Sequence, residues 1–157
     1  MRPDVKVTPE YGRKKIAFLL FALVWTAFIW HNSMCPATES SAQSGRAEQL
    51  LSPILDFLCT PEAVRQFVIR KAAHITEFAI LGLLWSGVFR GSKPGYPFLL
   101  SAVTAGVDEG IQLFVPGRSG EIRDVLIDTA GAAAALVLLW LLGWLRERVS
   151  QRKMDQI

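Results

Sequence analysis

Four long apolar stretches leave this chain few ways to fold: Ile16 to Trp30, Ala72 to Phe89, Phe98 to Val115 and Val125 to Leu145. A hydrocarbon core of roughly 30 Å takes about 20 helical residues to cross, and each stretch reaches or approaches that length. Hydrophobic residues make up 51% of the 157 residues, which places the chain among membrane proteins. The expected architecture is an all-α membrane protein, one integral domain over residues 1–157. Its four transmembrane helices fall near 16–31, 61–89, 98–115 and 124–145, with a short amphipathic helix on the outer side.

The first stretch, preceded by Arg13, Lys14 and Lys15, also has the outline of a signal peptide. Asn32-Ser33-Met34-Cys35 lacks the small residues a cleavage site needs, so an uncleaved helix running just past His31 is the better reading. Basic residues are retained on the cytoplasmic side. With both termini inside, the cytoplasmic pieces hold Arg2, Lys6, Arg13, Lys14, Lys15, Arg90, Lys93, Arg146, Arg148, Arg152 and Lys153, eleven of the 17 basic residues. The net charge of +3 reflects this sidedness, and no basic stripe or aromatic platform suggests nucleic acid as a partner.

Residues 32–48 are rich in Ser, Ala, Glu and Gln and read as a loop. Leu50, Leu51, Ile54, Leu55 and Leu58 then recur at helical spacing around Pro53, the pattern of a short amphipathic helix that lies in the outer interface or packs on the bundle. Thr60-Pro61-Glu62 reads as a helix start capped by Thr60. Cys35 and Cys59 share this outer segment, where a disulfide is permitted, although two unpaired thiols are the simpler reading. Trp30, Trp140 and Trp144 read as interface anchors.

Charges inside the apolar segments gather in three blocks, residues 70–78, 108–118 and 124–128. An ionisable residue at membrane depth costs several kcal/mol, so such a cluster is a functional-site hypothesis by default. His74 and Glu77 lie one turn apart near the outer end of the second span. Asp108, Glu109 and Gln112 lie near the outer end of the third, and Asp124 and Asp128 open the fourth. All fall at a common depth. Small residues are expected to bring the helices close, through the row Ala102, Gly106, Gly110 and the pair Gly131, Ala135. Pro116 ends the third helix, and Gly117 and Gly120 suit the turn that leaves Arg118 at the mouth of the cluster.

The blocks R-K-x-A-H-x-x-E-F-x-x-L-G (70–82), D-E-x-x-Q-x-F-x-P-G-R (108–118) and D-x-x-x-D-x-x-G (124–131) together resemble the VanZ-like family. The founding member of that family is associated with resistance to the glycopeptide teicoplanin. The resemblance spans about half the chain and implies a four-helix membrane protein linked to glycopeptide resistance. Ile111 is a departure, because many relatives carry His there, and it weighs against a mechanism that needs two histidines.

Three chemistries fit the cluster. In the first, His74, Glu77, Asp108 and Glu109 are the candidate catalytic groups, with His74 as general acid or base and a carboxylate orienting it. Arg70, Lys71, Gln112, Arg118, Asp124 and Asp128 then bind the ligand, the cations meeting phosphate or carboxylate at headgroup level. The partners would be membrane lipid and a lipid-linked or cell-wall precursor. No nucleophile elbow, phosphate loop or zinc-helix motif fixes the reaction. In the second, the same acids and His74 offer the mixed N and O donors of a divalent metal site, but no fixed ligand spacing accompanies them. No metal ligand is therefore assigned, and the sequence specifies no cofactor. In the third, the charges pair with one another and only lock the bundle.

The topology carries a direct expectation. Cys35 and Cys59, once reduced, react with a membrane-impermeant maleimide in intact cells; protection of both until the cells are lysed would rule out the proposed sidedness.

Overall fold

The computed structural model describes residues 9–58, 60–90 and 95–154. Among these the chain forms five helices and no strand: α1 (Pro9–Ser33), α2 (Ala37–Phe57), α3 (Glu62–Val88), α4 (Gly95–Gln112) and α5 (Ile122–Met154). The central element is α3, which packs against all four others; α1 and α5 also pack on α4. The core between them is small: Ala22 and Ile29 of α1, Phe78, Leu81, Trp85 and Val88 of α3, and Ala105 of α4.

Two helices are long and apolar enough to cross a membrane, Glu10–Ser33 and Ile122–Arg152. They bury little of that apolar surface. Leu20, Phe21 and Val24 on α1 and Leu138, Trp140 and Leu145 on α5 are each at least half exposed. In water such faces would be an aggregation hazard, whereas lipid solvates them. Helices α3 and α4 fall short of the same test, because Lys71, His74 and Glu77, and Asp108, Glu109 and Gln112, occupy positions that would complete an apolar stretch.

Several boundaries differ from the sequence reading for identifiable reasons. Residues 37–48, read as loop, are the first half of α2. Ala, Glu, Gln and Arg are adequate helix formers, and buried Ser44 gives that half a packed face. Among the expected interfacial residues only Leu55 is buried; Leu50, Ile54 and Leu58 project outward. Pro53 stays inside the helix, and the carbonyl of Gln49, deprived of its partner four residues on, accepts the Ser52 hydroxyl at 3.1 Å. Thr60 does not cap α3 with its side chain; its carbonyl instead accepts Arg65 Nε at 3.0 Å. The α4 helix ends at Gln112 rather than Val115; Pro116 has no N–H to give the carbonyl of Gln112, which accepts Val115 N instead. Tightened bonds from Phe114 N to Ile111 O and from Val115 N to Gln112 O close the turn. At the other end of the chain α5 continues through the basic run from Arg146, where Arg148 stacks over the Trp144 ring at 4.4 Å. The suggested Cys35–Cys59 bridge involves Cys59, which lies outside the described residues.

Small residues do bring helices together, but at different places from the row expected on α4. A Cβ added to Gly106 or Gly110 would meet nothing within 4 Å. A Cβ on Gly131 of α5 would lie 2.5 Å from the backbone oxygen of Ile75 in α3, and one on Gly82 would lie 3.2 Å from that of Ala132. The tight seam is therefore α3 against α5. Gly131→Leu is expected to destabilise the detergent-solubilised protein by about 1–3 kcal/mol through overpacking, whereas Gly106→Ala leaves stability unchanged or slightly raised. Thermal unfolding of the two variants checks the assignment, and equal effects would contradict it.

Candidate functional site

The end of the α3–α5 seam carries the polar groups. Lys71 of α3 pairs with Asp124 of α5 at 2.5 Å, both largely buried. One turn further along, His74 Nδ1 faces Asp128 Oδ1 at 3.6 Å. Helix periodicity makes this possible, since 71 and 74 on one helix and 124 and 128 on the other each share a face. From α4, Asp108 and Glu109 point inward, 0% and 5% exposed. Gln112 bridges them, its Nε2 donating to Asp108 Oδ2 at 3.2 Å and to Glu109 Oε1 at 3.1 Å.

The second oxygen of Glu109 accepts the backbone N–H of Glu121 at 2.9 Å, which pins the α4–α5 turn. Both Glu109 oxygens are thus hydrogen-bonded, one to Gln112 and one to Glu121. These bonds let Glu109 brace the α4–α5 turn, with Gln112 bridging it to Asp108. Within the same turn Gly117 adopts a positive φ of 75°. Gly120 lies so close that a Cβ would be 2.5 Å from the carbonyl of Glu109. The outcome is that Arg118 swings back over the cluster and donates to the carbonyl of Asn32 at 3.3 Å. Burial and the neighbouring Arg70 pull the Arg118 guanidinium below its ordinary range, yet an arginine remains charged at neutral pH.

Two pockets open between these groups. One of about 190 Å³ lies under α2 and is lined by Asn32, Ser44, Arg70, His74, Glu77 and Arg118, among others. A second, of about 210 Å³, lies toward the α4–α5 turn and is bounded by Lys71, Gln112 and Asp124 as well as by Arg70, His74 and Arg118. The last three residues therefore stand between both spaces. Glu77 reaches the first pocket, its Oε1 accepting Asn32 Nδ2 at 3.2 Å. Of the ten site residues singled out in the sequence, only Asp108, Glu109 and Asp128 line neither pocket, and all three are buried.

Several site residues were missed by sequence reasoning. Asn32 and Ser33 end α1, with the Ser33 hydroxyl beside the Asp108 carboxylate. Ser40, Gln43 and Ser44 of α2 line the first pocket, and Ser41 Oγ lies 3.5 Å from Arg70. A polar pair directly after an apolar span was the available signal for Asn32 and Ser33. The serines were hidden by reading their segment as loop.

The polar cluster is only partly self-satisfied. Arg70 Nε, Arg118 Nε, Asp108 Oδ1, Asp124 Oδ1 and Asp128 Oδ2 are buried without a hydrogen-bond partner. Among the described residues neither Arg70 nor Arg118 pairs with a carboxylate, since the ion pairs of this region are Lys71–Asp124, His74–Asp128 and Arg123–Glu121.

A bundle whose apolar faces point outward and whose ionisable residues converge inward at one end belongs to the class of helical membrane proteins with an internal polar site. The sequence model of the VanZ/LLP1 family matches residues 18–143, and the chain belongs to that family. No curated protein and no solved structure matches it.

Glu109 offers a check on this division of labour. Glu109→Ala is expected to cost about 1–3 kcal/mol, because it strands the Glu121 N–H and one contact of the Gln112 amide. Glu109→Gln, which keeps an acceptor, should cost less. The difference is read from thermal unfolding in detergent, and an equal loss in both would reject the bracing role.

Proposed function

We propose that this protein crosses the membrane four times, through α1, α3, α4 and α5, with both termini cytoplasmic. Its outward-facing pocket then takes an anionic cell-envelope ligand, lipid-linked or a wall precursor, and so influences susceptibility to glycopeptides such as teicoplanin. The observation that carries this reading is the pair Arg70 and Arg118, half-buried beside both pockets, each with a buried Nε that has no hydrogen-bond partner, and unpaired with any carboxylate among the described residues. Two guanidiniums left with spare donors at one mouth form a receptor for phosphate or carboxylate oxygens, which they bind in forked, charge-assisted geometry. The four-span arrangement is supported by the alignment of α3 and α4 beside the two apolar helices, and by the excess of basic residues on the cytoplasmic pieces.

His74 supplies the chemistry in this reading. It borders both spaces, with Asp128 Oδ1 3.6 Å from its Nδ1 and Glu77 one turn away, so the imidazole lies among carboxylates and can exchange a proton beside the bound anion. The ion-network reading keeps part of its ground. The Lys71–Asp124 pair joins α3 to α5, the Gln112–Glu109–Glu121 bonds join α4 to the start of α5, and neither needs a ligand. The two arginines are what that reading leaves over.

Native mass spectrometry of protein extracted gently from its own membrane tests the proposal. The wild type is expected to carry a phosphate- or carboxylate-bearing adduct, and Arg118→Gln or Arg70→Gln to lose it by about tenfold or more, an equivalent of at least 1.4 kcal/mol. The same variants, at unchanged membrane abundance, are expected to lose any effect on teicoplanin susceptibility. Adduct and susceptibility both indifferent to the two arginines would defeat the reading.

A further inference from the structure

Beneath the arginines, three side chains from three different helices meet at one point. His74 of α3, Asp108 of α4 and Asp128 of α5 each offer a donor atom, and these atoms all lie within 4.8 Å of one another. Asp108 is 0% and Asp128 1% exposed. Each has one oxygen without a hydrogen-bond partner, Oδ1 of Asp108 and Oδ2 of Asp128. From these groups we propose that the chain binds a single first-row divalent metal ion, zinc or manganese, through His74, Asp108 and Asp128.

Four features converge on an ion. The separation of 3.6 Å between His74 Nδ1 and Asp128 Oδ1 is too long for a hydrogen bond. It is close to the roughly 3.4 Å that separates two ligands each about 2.1 Å from a tetrahedral metal. Second, no cation other than the His74 imidazole is paired with either buried carboxylate. Lys71 is taken by Asp124, Arg123 by Glu121, and Arg70 and Arg118 form an ion pair with neither, so Asp108 and Asp128 share one imidazole, an arrangement that low-dielectric surroundings penalise. Third, part of the shell behind the donors is built: Gln112 donates to Oδ2 of Asp108, as outer groups fix metal ligands, while Oδ1 has no hydrogen-bond partner. Fourth, one nitrogen and two carboxylates suit zinc or manganese, whereas calcium takes six to eight oxygens. Three protein ligands leave a coordination position open, and His74 places it next to the space bordered by Arg70 and Arg118. An oxygen of a bound anion would fit there.

The ion depends on these three side chains and not on the arginines, so the metal and the anion reading fail separately. The full chain, purified in mild detergent from its own membrane, is analysed by plasma mass spectrometry, then stripped with EDTA and titrated with Zn²⁺ while its thermal unfolding is followed. The expected result is about one ion per chain, as isolated or after titration, and a rise in Tm of several degrees on adding zinc to the stripped protein. Asp108→Asn and Asp128→Asn should each lower metal content about tenfold or more and abolish the zinc-dependent rise, while the exposed Glu147→Gln leaves both intact. The stripped wild type supplies its own comparison, so a variant that folds poorly does not decide the matter. Absence of an ion as isolated together with no zinc-dependent shift in the wild type overturns the proposal, as does binding that persists in either aspartate variant. Metal that is retained by Arg118→Gln while the envelope adduct disappears is the outcome expected if both proposals hold.

Discussion

A carboxylate held inside an apolar bundle has to be answered by a cation, a donor or a ligand, and the placement of every helix here follows from that demand. Five acids converge at one end of the bundle. Asp124 has Lys71, Glu109 has an amide and a backbone N–H, and Glu77 has Asn32. Asp108 and Asp128 have no cation but the imidazole they share, and one oxygen of each, like Oδ1 of Asp124, is buried without a hydrogen-bond partner. The bonds made by the first three join α1, α3, α4 and α5 to one another, so the groups that are most expensive to bury also hold the helices in place. The partly answered pair lies where those helices meet.

Such convergence needs close backbones, and glycines at the α3–α5 seam supply the closeness. Because Gly131 lies against the backbone of Ile75, α5 sits near enough to α3 for a lysine and a histidine to reach two aspartates one turn apart. Farther along α5 the apolar side chains turn outward instead. The helix is thus specialised along its length, with a packed polar end and a largely exposed apolar end.

Much of this was legible in the sequence. Apolar length pointed to α1, α3, α4 and α5, and the common depth of the blocks matched their meeting in space, because helical rise converts position into height. Lateral closeness was not legible in the same way. Gly106 and Gly110 form as good a small-residue row as any, yet they face open space, since the pattern says where a helix could approach and not which neighbour comes. The first half of α2 was missed for a related reason. Its composition is neutral, and what favours the helix is the surface of α3 beneath it. Trp30 was read as an anchor in the interface, but its indole N–H donates inward to the carbonyl of Thr104 at 3.4 Å. Trp identity alone does not say which way an N–H points.

That indole has a companion. Trp25, five residues earlier on α1, donates to the carbonyl of Glu77 in α3 at 2.9 Å, while Trp30 reaches α4. Five residues on a helix correspond to well over one full revolution, so the two bonds grip α1 at different azimuths and at two heights. A cylinder held that way can neither spin about its axis nor slide along it. The rotational phase of α1 is therefore locked to the bundle, and Asn32 and Ser33 at its end are presented to the pocket as fixed walls. Proteolytic loss of α1, as would follow if it were a removable leader, would strip the site of one side and leave two carbonyls of neighbouring helices without those donors.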